Sequence, residues 1–147
     1  MDVSFQEKSA WGSLLAIAIA SWLFFPTAVA HIAAGGQLID LAYRIVFVIG
    51  VIIVIEIVYH AVIAGRSGDS ATDERDAQFT LKADRIAGYV LAFGVVWIVG
   101  LIMIRSSLTG APAVPSTIMV SIYLLLALTA SEASKLLSQI WFYRAES

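Results

Sequence analysis

The chain has 147 residues, 60% of them hydrophobic and only 14% charged, with a mean hydropathy of +0.88. A water-soluble domain carries roughly a quarter charged residues to keep its surface solvated, so lipid is the expected solvent here. A net charge of −2 argues against direct nucleic-acid binding, and the absence of cysteine excludes disulfides, thiolate metal sites and cysteine nucleophiles.

Four stretches approach the roughly 20 apolar residues needed to cross about 30 Å of hydrocarbon at 1.5 Å per residue. The first predicted span covers about residues 10–29, uncharged throughout, with Trp11 and Trp22 toward its ends and Pro26 near its exit. Ala28-Val29-Ala30 imitates a signal-peptide cleavage site. Asp2 and Glu7 beside Lys8, together with an apolar run longer than a signal core, predict a retained helix instead. Gly35-Gly36, Gln37 and Asp40 then mark a short connection.

The second span is expected over about 45–64. The segment from 65 to 85 that follows must lie in water, since it holds Arg66, Asp69, Asp73, Glu74, Arg75, Asp76, Lys82, Asp84 and Arg85. It begins as a linker and reads as helix from about Thr72, its acidic residues suiting the positive end of the helix dipole. That helix is expected to run straight into a third span over about 86–104. Gly110, Pro112 and Pro115 mark a further turn before a fourth span over about 117–143, which closes on the interfacial anchor Trp141-Phe142-Tyr143-Arg144.

The whole chain thus reads as a single transmembrane domain, an all-α antiparallel four-helix bundle. Lys8, Arg66, Arg75, Lys82, Arg85 and Arg144 fall on one side, against Arg44 and Arg105 on the other, which puts both termini and the charged segment in the cytoplasm. Packing faces are expected at the small residues Ala127, Ser131, Ser134 and Ser138 of the last span and at Gly88 and Ala92 of the third, within one chain or between copies.

Ionisable groups within spans are function candidates by default, since each costs at least about 2.5–3.5 kcal/mol to insert. Glu56 and His60, four residues apart, share a helix face, and Glu132, Lys135 and Gln139 make a second polar stripe. Both groups are expected in the cytoplasmic half, where they can meet. One reading is a ligand, ion or proton site, because a histidine beside a carboxylate changes charge near neutral pH. The other is structural: an internal Glu132–Lys135 ion pair, a Glu56–His60 clasp, and a Lys135 able to snorkel to the interface. No metal centre or cofactor is expected, because His31 and His60 belong toward opposite faces and no H-E-x-x-H is present. Nor is there a Walker loop, a G-x-S-x-G or a dinucleotide fingerprint, so no enzyme and no catalytic residue is expected.

Asp73-Glu74-Arg75-Asp76, followed by Lys82-Ala83 and Arg85-Ile86-Ala87, resembles the loop motif of an uncharacterised family of small four-helix prokaryotic membrane proteins. Glu7-Lys8-Ser9-Ala10-Trp11, His60, and Glu132 and Lys135 followed by Tyr143-Arg144 look similar too. Ala111 to Pro115 has no counterpart. The resemblance implies four membrane helices in an inner or plasma membrane and no established activity. Relatives encoded beside small helix-turn-helix regulators imply a cytosolic protein partner of that kind.

Two functions are compatible with these residues. The first is a non-enzymatic sensor or scaffold that engages a cytosolic partner through Asp73, Glu74, Arg75, Asp76 and Lys82. The second is a small channel or transporter, working as a homo-oligomer, in which Glu56, His60, Glu132 and Lys135 line an ion or proton path. The first is preferred, because a path also needs polar groups in the outer halves of the spans, and those are apolar. The charged segment has a structural alternative as well: a solvated helix start that sets the entry angle of the third span.

Overall fold

A computed structural model describes residues 5–66, 74–109 and 117–145. These form four helices and no strand: α1 (Phe5–Ala33), α2 (Leu38–Arg66), α3 (Glu74–Thr109) and α4 (Thr117–Ala145). Each contains one of the apolar stretches, and all four are long and apolar enough to cross a membrane. At 1.5 Å per residue, 29 residues reach roughly 43 Å and the 36 of α3 roughly 54 Å, so every helix exceeds a hydrocarbon layer of about 30 Å.

The backbone explains the tight turn after α1. Gly36 donates its N–H to the His31 carbonyl at 2.9 Å and Gly35 donates to Ile32 at 2.9 Å, while Gly35 sits at φ 71°. This is a Schellman closure, which needs a residue tolerant of positive φ at that one position. The His31 ring packs where a side chain on Gly36 would sit and donates through Nε2 to the Gln37 carbonyl at 2.9 Å. That bond holds α2 at the start of its return.

α1 packs against α2 and α4, and α3 packs on α4, so α1 and α4 are the two helices with two neighbours each by these contacts. The inward stripe of α1 is Ala16, Ala20, Phe24 and Ala28, all buried at a spacing of four, the row that forms ridges on a helix surface. Phe24 and Ala28 join Leu41 and Ile122 in a buried cluster where α1, α2 and α4 converge. α2 is held at two places. Leu41 enters that cluster at one end, and at the other Tyr59 donates to the Lys8 carbonyl at 2.6 Å with its ring over Gly12.

α3 meets α4 through small residues and in opposing order. Gly94 faces Ala127, Ala87 accepts a 2.8 Å hydrogen bond from Ser131, and Phe79 reaches Tyr143. Ala83 and Ala87 are buried in this contact. Of the small residues expected to pack, Ala127 and Ser131 are buried here, while Ser134 and Ser138 return their hydroxyls to carbonyls of α4 at 2.7 Å. Gly88 has no side chain near it, and both it and Ala92 are exposed. The face that α3 uses is Ala83, Ala87 and Gly94, one helical position away from the Gly88 row.

A Cβ built on Gly94 would stand 2.8 Å from that of Ala127, so the two helices have no room to spare. Gly94→Leu is therefore expected to destabilise the fold by about 1–3 kcal/mol, read as a lower melting temperature by tryptophan fluorescence in detergent. The same exchange at Gly88 should leave it nearly unchanged.

Candidate functional site

The polar residues gather toward the end of the molecule where α1 begins and α4 ends. Glu7 is buried although charged, and it accepts a 3.2 Å hydrogen bond from Arg144 Nε. Arg144 also lies 5.3 Å from the Trp11 ring centre. A carboxylate at this depth is tolerable because its partner comes with it.

Beside it, the charged start of α3 is clamped to the end of α4. Phe79, almost fully buried, stacks on Phe142 with centroids 5.8 Å apart and meets Tyr143 edge-on at 5.1 Å. Arg75 lies over Phe79 at 5.2 Å, and Lys82 lies over both Phe79 and Phe142 at 5.8 and 5.7 Å. Such cation–ring contacts contribute about 0.5–1 kcal/mol each at exposed sites. Tyr143 hydrogen-bonds Asp76.

Of the residues expected to engage a partner, Glu74, Arg75 and Lys82 are exposed and Asp76 is half-buried, while Asp73 lies outside the described residues. Three of them thus also have intramolecular work. They fix the first turns of α3 against α4, as the helix-entry reading requires.

A polar ladder continues along the α3–α4 contact. Gln139 donates to Thr80 at 3.5 Å, Lys135 pairs with Asp84 at 2.7 Å, and Ser131 follows with its bond to Ala87. The expected Glu132–Lys135 ion pair is not formed. Lys135 turns to Asp84 because α3 brings a carboxylate to it at bonding distance, whereas Glu132 points toward α1 and α2. His60 likewise leaves Glu56 and approaches α1, with Ser9 Oγ 3.4 Å from His60 Nδ1.

The Glu56/His60 and Glu132/Lys135 groups therefore do not merge. No hydrogen bond or ion pair joins them among the described residues. Glu132 and Glu56 have neither kind of partner there. Glu132 is the lining residue nearest the α4 C-terminus in an apolar cleft between α1, α2 and α4. Among the described residues no three His, Asp or Glu side chains are placed to hold a metal ion.

Sequence reading passed over Glu7, Asp84 and Phe79, whose importance lies in partners 137, 51 and 63 residues away. Compared with known proteins, the chain matches no family model, no curated protein and no solved structure.

The ladder predicts a particular response. Asp84→Leu takes from Lys135 its nearest acceptor and leaves Glu132 as the carboxylate within Coulombic reach, and is expected to cost about 1 kcal/mol. Adding Lys135→Met should recover most of that loss, because an apolar pair replaces an ion pair at little cost. Melting temperatures of the two single variants and the double variant test this, and strictly additive losses would count against it.

Proposed function

We propose that the protein is a non-enzymatic scaffold or sensor in a prokaryotic cytoplasmic membrane, an antiparallel four-helix bundle with both termini inside. In this reading the charged start of α3 engages a soluble protein partner, such as a small regulator. The observation that carries it is the projection of α3. A helix of roughly 54 Å cannot be contained in about 30 Å of hydrocarbon, so its charged first turns, beginning at Glu74, stand outside.

The clamp of Phe79, Phe142 and Tyr143 keeps that projection at a fixed angle to α4. A docking surface gains affinity when its geometry is set beforehand, because less ordering entropy is lost on binding. Glu74, Gln78, Leu81, Lys82 and Arg85 are exposed on it. They combine both signs of charge with one large apolar side chain. Basic residues concentrated at this end support the inward orientation, and kinship with the family whose loop motif it resembles would agree with a regulator as partner.

An ion or proton path through Glu56, His60, Glu132 and Lys135 has less support. His60 and Lys135 already face Ser9 and Asp84, and the cleft above Glu132 is lined almost wholly by aliphatic and aromatic carbon.

Because the chain lacks cysteine, single replacements report orientation without background. A membrane-impermeant maleimide should reach Gln78→Cys and Ala145→Cys in inside-out vesicles and Ser107→Cys only in right-side-out ones. Labelling of Gln78→Cys and Ser107→Cys from one side would end the topology.

Partner capture is tested separately, by cross-linking from a photoreactive residue at Leu81. Glu74→Lys combined with Lys82→Glu should lower the yield at least about fivefold, in keeping with charge steering of association, while the melting temperature barely moves. An unchanged yield would reject the docking surface.

A further inference from the structure

The cleft between α1, α2 and α4 measures about 230 Å³ and is lined by Ile17, Phe25, Ile49, Leu128, Thr129 and Glu132 among others. It is open on one side. For a chain whose four helices cross a bilayer, that side faces hydrocarbon, so whatever fills it is dissolved in the membrane.

Three observations narrow the occupant. First, Glu132 lines the cleft together with apolar side chains, and a carboxylate beside hydrocarbon is expensive. Second, one ammonium serves two carboxylates: Lys135 holds Asp84 at 2.7 Å and has Glu132 within Coulombic reach besides. Third, Glu56 stands on the same α2 row as the cleft residues Ile49 and Ile52, one turn further inward, and it also lacks an ion-pair partner among the described residues.

A hydrocarbon tail alone fills the cleft and leaves the excess of negative charge uncompensated. A hard metal ion needs about six oxygen ligands, which two carboxylates do not supply. An anion is repelled. An apolar body carrying one positive charge satisfies wall and carboxylate together.

We infer that this cleft binds a membrane-dissolved lipophilic monocation of the alkylammonium class, its tail between Phe25, Ile49 and Leu128 and its charge at Glu132, with Glu56 as the second anionic group. The inference goes beyond the scaffold reading and needs only the four spans.

The test uses the full chain in phosphatidylcholine nanodiscs and three probes with one tail: decyltrimethylammonium, decanol and decyl sulfonate. The cation should be retained saturably, about one per chain, and at least roughly tenfold more tightly than the alcohol, with sulfonate no better than in empty discs. Glu132→Gln is expected to weaken cation binding about tenfold or more, as loss of a desolvated charge partner does. Leu128→Trp, which fills the cleft, should remove it. Melting curves check that each variant folds, and either one that does suffices to test the site.

Equal retention of cation and alcohol would overturn the assignment, as would cation binding untouched in a folded variant. So would an Ile49→Cys disulfide between two copies that forms equally with and without the cation, since a second chain would then occupy the cleft.

Discussion

All four helices are long and apolar enough to cross a membrane, and inside a bilayer the absence of water would govern every contact between them. Lipid tails are as apolar as leucine, so burying an aliphatic face against another helix gains little over leaving it in lipid. What remains is close approach and the pairing of polar groups that cannot be left alone. Both are visible at the α3–α4 contact, where Gly94 admits Ala127 and the Ser131 hydroxyl reaches the Ala87 carbonyl. The same logic places Ala16, Ala20 and Ala28 in the stripe of α1 that lies between its two neighbours.

The four helices were legible in the sequence because hydrocarbon thickness imposes a length and forbids charge along it, and both are local properties. Which faces meet was less so. A lipid-facing row and a helix-facing row are equally apolar, so periodicity carries little of the signal that marks the core side of a soluble helix. Gly88 and Ala92 form a small-residue pair as convincing as Ala83 and Ala87, yet only the second is buried. The candidate site shows the same limit. Spacing of four put Glu56 with His60 and spacing of three put Glu132 with Lys135, but a helix neighbour supplied better partners for His60 and Lys135. Asp84 and Ser9 outcompete the local carboxylates because they arrive across a helix interface, with geometry that no linear spacing encodes.

The end of the molecule where α1 begins and α4 ends shows how this fold holds its charge. Glu7 is sequestered by Arg144, Asp76 by Tyr143, and the ammonium of Lys82 and guanidinium of Arg75 rest on aromatic faces. Aromatic rings suit a membrane boundary because their faces accept cations and their bodies accept lipid. As a result the first turns of α3 are tied to the end of α4 by the contacts of Phe79 and Lys82 with Phe142 and Tyr143.

Set against this pattern of pairing, Glu56 and Glu132 stand apart. Ser21, Thr129, Ser138, Lys135 and His60 within the spans return to a carbonyl, a carboxylate or a neighbouring hydroxyl. A fold that brings Asp84 to Lys135 and Ser9 to His60 had the means to satisfy two more groups, and an alanine at either position would have removed the cost of insertion altogether. Leaving a carboxylate at the end of an apolar cleft makes physical sense when something mobile completes it. Leu41 and Tyr59 hold α2 toward its two ends and the cleft lies between those contacts, so the arrangement that puts Glu132 at its wall also makes the room beside it.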